Sequence, residues 1–198
     1  MIYRIIKEID SSLKNENFLA ALALALTLPD TCGKAEFPTK GNRARYIGWY
    51  DEYVGKYEKP PKVNLDNTSS NSLFDDMPYM SGEIIYSLRC CFLHQETPNI
   101  EMGNIHDPQC QVTRFTLIIA GAINGGSSSV SPNPFIDSEK RTLEINIVNL
   151  CCKLCLVAKS YYEDNKEKFD FLEYDLQDRR IDGIDLMWGL PIPDCPSE

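Results

Sequence analysis

Apolar side chains recur along most of the chain at the three- and four-residue spacing of a helix that buries one face. This spacing predicts helices over the following segments: 2–14, 18–28, 40–57, 81–95, one from Asn146 or Asn149 to about Tyr162, and a short one within the acidic stretch 165–178. Residues 18–28 alternate alanine and leucine, which both favour helix over strand. Pro29 and the segment 30–33 are expected to end that second helix.

Two segments show the pattern of strands instead. Residues 112–119 and 141–147 are rich in β-branched side chains and alternate in polarity. The connection 121–134 is rich in glycine and serine, so we predict a two-stranded hairpin with a long loop, which must pack on the helices to be stable. The whole pattern predicts a mainly α fold: a helical bundle of five or six helices in a single domain, 1–198, with the hairpin inserted at 112–147.

Composition and charge narrow the functional classes. The 198 residues are 43% hydrophobic and 25% charged, which is typical of a globular protein. The net charge of -9 argues against a protein that coats nucleic acid through bulk electrostatics. Residues 1–62 hold ten basic and eight acidic side chains, whereas residues 163–198 hold four basic and eleven acidic ones. An anion-binding surface should therefore draw on the first third of the chain and on Arg89.

The longest apolar run, Phe18 to Pro29, has about a dozen residues, whereas a membrane-spanning helix needs roughly 20. Glu8, Asp10 and Glu16 precede this run, where a secretory signal has a short basic head. We therefore expect no membrane span, and a cytoplasmic location in which the eight cysteines are reduced.

The predicted fourth helix carries Arg89 and His94, five residues apart in SLRCCFLHQ. In a regular helix these side chains diverge by about 140° and lie about 7.5 Å apart along the axis, so they converge only if the helix loosens near Pro98. A histidine can take a proton from a ribose 2′-hydroxyl, and an arginine can bind the phosphate. The pair suits RNA cleavage without a metal. The alternative is a surface ion pair for Arg89 and a C-terminal helix cap by His94.

The strip IIYSLRCCFLHQETPN resembles the motif helix and following turn of the HEPN family (nucleotide-binding domains of higher eukaryotes and prokaryotes). The resemblance implies a helical bundle that forms a homodimer, with both copies of Arg89 and His94 in one cleft at the two-fold axis. Many members are metal-independent endoribonucleases, often in toxin or defence systems, and Arg89 would bind phosphate while His94 is the acid/base. The family usually has a polar Asn, Asp or His after the arginine, whereas this chain has Cys90. This departure keeps open the alternative of a non-catalytic binding or regulatory module with a protein partner.

A polar stripe accompanies the motif. Glu83, Ser87, Cys90 and His94 fall within about 60° of one another around the helix. The stripe predicts either the polar floor of a cleft or a half-exposed helix face.

Arg43 and Arg45 precede a run of aromatic residues at helical spacing, which includes Tyr46, Trp49 and Tyr53. Aromatic side chains beside basic ones can stack bases of single-stranded RNA, so both arginines are candidate RNA contacts. An aromatic stripe with this period is also typical of a helix that faces the core.

Cysteine and histidine cluster at metal-ligand spacing as CCxxC at 151–155 and CCxxH at 90–94, with a weaker pair at His106 and Cys110. A zinc site needs four converging ligands, and both clusters lie on apolar helical faces, where cysteine packs as a small hydrophobic residue. We therefore expect no metal. The phosphate-cradling and nucleophile-elbow motifs are absent from the sequence, so we also expect no cofactor.

Overall fold

The computed structural model describes residues 1–58, 80–95, 97–100, 112–119, 128–132 and 141–171. Within them the helices are α1 (Ile2–Lys14), α2 (Phe18–Ala25), α3 (Leu28–Glu36), α4 (Asn42–Trp49), α5 (Gly82–Cys90) and α6 (Ile147–Asp164), and the strands are β1 (Val112–Ile118), β2 (Ser128–Pro132) and β3 (Arg141–Asn146). Shorter turns follow some helices: π-helical turns at Tyr50–Val54 and Cys91–Gln95, and 3-10 turns at Gly55–Tyr57 and Lys166–Phe169. The mainly α fold with an inserted β element is confirmed. Residues 172–178 of the predicted last helix lie outside the described residues.

The second predicted helix is two helices. α2 ends at Ala25, and α3 begins at Leu28 and continues to Glu36. Pro29 lies in the first turn of α3, where its missing N–H is not needed because the first amides of a helix have no intrahelical partner. The expectation that Pro29 and residues 30–33 end the helical region is therefore wrong, because Pro29 starts a helix here.

The β element is a three-stranded mixed sheet with the order β1-β3-β2. β1 and β3 are parallel, with Phe115 opposite Leu143 and Leu117 opposite Ile145. β2 lies within the connection 121–134, for which the sequence predicts a long loop, and it pairs antiparallel with β3. The prediction of a two-stranded hairpin from 112–119 and 141–147 is wrong because the connection contains a strand. β2 runs opposite to β3 and so forms the antiparallel pair with it. The long connection between β1 and β3 allows those two strands to run parallel.

α6 is the central helix of the bundle. It packs against α1, α2 and α3, and Leu150, Leu154 and Ala158 on its inner face are fully buried. The buried core continues into the sheet through Phe115 and Leu143. One apolar core therefore holds both the helices and the β element.

Two glycines bring the helices around α4 into backbone contact. A methyl group on Gly33 of α3 would lie 2.5 Å from the carbonyl oxygen of Arg45, and one on Gly82 of α5 would lie 2.7 Å from that of Ile47. Both distances are too short for a real side chain, so the three helices meet at points that only glycine allows. Asp30, one turn before Gly33, is consequently held against α4.

Ser81 caps the N-terminus of α5. Its hydroxyl accepts a hydrogen bond from the Ile84 amide at 3.4 Å, while the Asp51 carboxylate accepts one from the Gly82 amide at 2.6 Å. We expect Ser81→Ala to lower the free energy of unfolding by about 1 kcal/mol because one amide loses its partner. Urea denaturation measures the loss. Ser11→Ala, at an exposed site on α1, is the control, and equal stabilities of the two variants would contradict the capping role.

Glu36 connects α3 to the C-terminal part of the described chain. Its carboxylate accepts hydrogen bonds from the Tyr161 hydroxyl at 2.6 Å and the Lys168 ammonium at 2.7 Å. The bonds from Lys168 and then Tyr161 lower the pKa of Glu36 below its ordinary value. A lowered pKa stabilises the fold above the unfolded-state pKa, and that contribution is lost as the pH falls through the folded-state pKa.

Acid should therefore remove the contribution of the Glu36 carboxylate to the free energy of unfolding. We expect wild type to be more stable than Glu36→Gln at neutral pH, and the difference to shrink as the pH falls towards 3. Denaturant midpoints at a series of pH values measure it, with exposed Glu8→Gln as the matched control. A pH-independent difference would show that Glu36 acts through packing alone.

The stretch Phe18–Glu36, which combines α2 and α3, is long and apolar enough to cross a membrane by length and composition. Half of it is buried inside the protein, as in a core helix. Asp30 and Glu36 within the stretch also pair with Arg45 and Lys168 elsewhere in the fold. The stretch is therefore weak evidence for a membrane span.

Candidate functional site

Arg89 lies in the last turn of α5 and turns towards α3 and α4. Its guanidinium carbon is 5.7 Å from the ring centre of Tyr46, and its Nη2 atom is 4.0 Å from Asp30 Oδ2. The side chain is only 22% exposed, and its buried Nε–H has no hydrogen-bond partner among the described residues. A guanidinium carries five N–H donors, and because Nε is buried, an anionic ligand would bind Arg89 through its terminal Nη groups.

Asp30 links two arginines. Its Oδ1 atom accepts hydrogen bonds from Arg45 Nε at 3.2 Å and Arg45 Nη2 at 3.0 Å, while its Oδ2 atom faces Arg89 at the longer 4.0 Å. Asp30 is therefore engaged mainly by Arg45. Arg89 is held in place with much of its charge uncompensated.

Arg43 is the third arginine of the site, after Arg89 and Arg45. It forms an ion pair with Glu83, and its guanidinium carbon is 5.7 Å from the ring centre of Tyr86. The Tyr86 ring meets the Tyr46 ring edge-on at 5.3 Å. We call the resulting group the arginine–tyrosine cluster; its members are Asp30, Arg43, Arg45, Tyr46, Glu83, Tyr86 and Arg89. Three guanidiniums against two carboxylates leave one net positive charge in a strongly acidic chain.

The tyrosines of this cluster are neutral supports for the guanidiniums. Tyr46 is buried and donates its hydroxyl to the Leu26 carbonyl at 3.0 Å, and burial raises its pKa well above the ordinary value. Burial, followed by the neighbouring Cys90, also raises the pKa of Tyr86. Both rings therefore present uncharged π-faces to Arg89 and Arg43, an arrangement that favours a cation.

His94 is exposed and lies in the π-helical turn Cys91–Gln95, which begins directly after α5. In a π-helix the hydrogen bonds join residues five apart, so such residues approach the same side of the helix. Arg89 and His94 are five apart and straddle the start of this turn. The separation of about 140° that holds in a regular helix therefore does not apply to this pair. The convergence of Arg89 and His94 stays a prediction.

The polar stripe of α5 divides between core and surface. Glu83 pairs with Arg43, Cys90 is half-buried beside Tyr86, and His94 is exposed. Ser87 is only 3% exposed and its hydroxyl lacks a hydrogen-bond partner among the described residues, so it does not reach the surface of the stripe.

The aromatic run after Arg43 and Arg45 faces the core. Tyr46 and Trp49 are buried, and Tyr53 is half-buried and stacked on Trp49. Tyr46 and Trp49 therefore have no open face for a nucleic-acid base. Arg43 and Arg45 remain candidate RNA contacts through charge, although each is already paired with a carboxylate of the cluster.

The cysteines of CCxxC are spread around α6. Cys151 is buried, Cys152 exposed and Cys155 half-buried, and burial raises the pKa of Cys151 and of Cys155 to about 12. Such thiols resist the deprotonation that metal binding requires. The described residues contain no group of three or more His, Cys, Asp or Glu side chains that could hold a metal ion. His106 and Cys110 lie outside the described residues.

An apolar cavity of about 300 Å³ lies between β1 and the end of α5 with the turn that follows it, and the sequence pattern did not indicate it. Leu88, Cys91 and Phe92 line it from α5 and the turn, and Phe115 and Leu117 line it from β1. It marks where the sheet packs beside the helix that carries Arg89.

Comparison with family models, with curated proteins and with solved structures finds no match to this chain. The HEPN-like resemblance therefore stays a prediction from residues 84–99.

Proposed function

We propose that the protein is a HEPN-like, metal-independent endoribonuclease in which Arg89 binds the scissile phosphate and His94 is the acid/base. The observation that carries the proposal is Arg89 itself: a largely buried guanidinium with an unpartnered Nε–H, held in a cluster of net positive charge. An exposed histidine follows it by five residues and lies in the π-helical turn that comes after α5.

The chemistry needs only the groups of the chain and the RNA. His94 takes the proton from a ribose 2′-hydroxyl, and the 2′-oxygen attacks the adjacent phosphorus. The bond from phosphorus to the 5′-oxygen breaks, and the imidazolium returns the proton to this leaving oxygen. Arg89 stabilises the charge that grows on the phosphoryl oxygens. The products are a 2′,3′-cyclic phosphate and a 5′-hydroxyl.

A homodimer would complete the site. Two copies of α5 meeting at a two-fold axis would bring two arginines and two histidines together in one cleft. Light scattering of the purified protein tests for this dimer. The acidic C-terminal part of the chain would then face away from the cleft, because it repels RNA.

The direct test is to incubate the purified protein with single-stranded RNA in EDTA and analyse the fragment ends. The proposal expects cleavage, 2′,3′-cyclic phosphate ends, and no cleavage of DNA of the same sequence, because DNA lacks the 2′-hydroxyl. Intact RNA at high protein concentration would overturn it. Toxicity of the wild-type gene on expression, relieved by His94→Ala, is an early indication of a toxin or defence role.

The second candidate function is a non-catalytic binding or regulatory module. It is favoured by the internal pairing of Arg43 and Arg45 with carboxylates, and by Cys90 in the position where the HEPN family usually has a polar residue. In that case the cluster binds an anionic partner without cleaving it. His94→Ala would then leave partner binding unchanged, whereas Arg89→Ala would weaken it.

A further inference from the structure

A second cleft, of about 480 Å³, lies between the turns after α4 and the C-terminal half of α6. This volume is within the range of small-molecule sites in proteins. Its lining includes Tyr57 and Lys56 on one side, and Leu156, Ser160 and Asp164 on the other. None of these belongs to the arginine–tyrosine cluster.

The cleft offers an aromatic platform. Tyr57 is 69% exposed and Leu156 is 70% exposed, and both are among the large hydrophobic side chains that the fold leaves on the surface. The Lys56 ammonium lies 5.1 Å from the centre of the Tyr57 ring. An open tyrosine ring beside a cation is the arrangement on which proteins stack nucleic-acid bases.

Three polar side chains around the platform are available to a ligand. Lys56 is a donor, Asp164 an acceptor, and Ser160 both. No hydrogen bond or ion pair joins any of the three side chains to another described residue. The nearby Lys153, by contrast, is paired with Glu58. The cleft therefore combines a donor and an acceptor that have no hydrogen-bond partner among the described residues with an exposed ring, one face of which lies beside the Lys56 ammonium.

The charges argue for a base edge and against a phosphate. One lysine and one aspartate cancel, so the cleft has no excess of positive charge to hold a phosphodiester. A carboxylate accepts hydrogen bonds from the exocyclic amino group of a base, and an ammonium donates to a base carbonyl. Guanine and cytosine carry both groups, whereas adenine lacks the carbonyl and uracil lacks the amino group.

We propose that this cleft binds a guanine or cytosine base, with the ring on Tyr57, its amino group on Asp164 and its carbonyl on Lys56. The assignment of this cleft as a base-selective subsite for the RNA substrate rests on the proposed ribonuclease function. The same chemistry would also bind a free nucleoside.

The test is a calorimetric titration of the full chain with guanosine, cytidine, adenosine and uridine, which carry no phosphate. Guanosine and cytidine should bind more tightly than the other two. Tyr57→Ala should weaken guanosine binding roughly 5- to 150-fold, the range for loss of one stacking contact. Asp164→Asn should remove most of the preference over adenosine and uridine.

Lys40→Ala is the matched control. Lys40 lies 3.7 Å from the centre of the half-buried Phe37 ring, so the control removes a lysine from beside another ring without touching the cleft. Nucleoside binding should be unchanged in this variant. Equal affinity for all four nucleosides, no binding at all, or full binding by Tyr57→Ala would overturn the inference.

Two further arms separate the outcomes. In the first, a short guanine-containing RNA is titrated into Arg89→Ala, a variant chosen to prevent cleavage. Tighter binding of this RNA than of guanosine assigns the cleft to RNA, whereas equal affinity assigns it to a free nucleoside. Selective nucleoside binding by a wild-type protein that does not cleave RNA would support the cleft and overturn the ribonuclease.

Discussion

Replacement of His94 by alanine is expected to reduce RNA cleavage by about 10²- to 10⁴-fold, the usual contribution of a positioned acid/base. In the proposed mechanism the exposed imidazole takes the proton from the ribose hydroxyl, and its loss leaves the Arg89 side chain in place to bind phosphate. Single-turnover cleavage of a labelled RNA in EDTA measures the rate. RNA binding, measured separately, should change little.

Arg89→Lys should reduce cleavage to a similar extent for a different reason. Lysine keeps the positive charge but lacks the planar fork that contacts two phosphate oxygens at once and the flat face that lies on Tyr46. Loss of one preorganised donor to a developing anion costs about 10²- to 10³-fold in rate. Arg4→Ala, which removes an exposed arginine of α1, is the control and should keep full activity. Activity retained by Arg89→Lys would assign cleavage to another site.

Mixed dimers extend this test to the composite cleft. Arg89→Ala and His94→Ala are each expected to be inactive, whereas a mixture that exchanges subunits forms some sites with one arginine and one histidine. Partial recovery of activity in the mixture is the expected result. No recovery from verified mixed dimers would contradict a site shared between subunits.

The helices were predictable because each buries one continuous face, and burial of one face imposes a period that a single sequence displays. The segments 2–14 and 81–95 are helical in the structure, although the second continues as a π-turn beyond Cys90. The N-terminal caps of α5 and α6 also depend only on local sequence. Ser81 and Asn146 each accept a hydrogen bond from the amide three residues later, a contact that depends on the residue type and its position alone.

The sheet was less predictable because strand pairing is a long-range property. The alternation of residues 112–119 and 141–147 indicated strands but not their relative direction. β2 has only five residues, in a segment of serine, valine and proline that is also typical of a loop. Its presence turns a predicted hairpin into a parallel pair with an added antiparallel strand.

The arginine–tyrosine cluster could not be predicted from any one helix. Arg89 and His94 were identified by their spacing, but Asp30, the residue that faces Arg89, lies on α3. Its place depends on how closely α3 approaches α4. Gly33, inside α3 and one turn after Asp30, was the signal in the sequence: a glycine costs helix stability unless close packing requires it.

Gly33→Ala is accordingly expected to destabilise the protein by about 2 kcal/mol. The added methyl would lie 2.5 Å from the Arg45 carbonyl oxygen and 2.9 Å from its carbonyl carbon. Backbone atoms cannot move aside alone, so α3 and α4 must separate, at a cost near the upper end of roughly 1–3 kcal/mol for overpacking. The better helix propensity of alanine offsets about 1 kcal/mol of that cost. Urea denaturation at neutral pH measures the net change.

Gly48→Ala isolates the cause. It is the same substitution within α4, but its methyl would meet the Phe37 ring at 3.2 Å, and a ring edge can shift where a backbone cannot. We expect this variant to remain within about 1 kcal/mol of wild type. Separation of α3 from α4 should also draw Asp30 away from Arg45, so Gly33→Ala should alter RNA binding in folded protein while Gly48→Ala does not. Equal stability of the two variants would show that α3 and α4 are not held in the close contact on which the cluster depends.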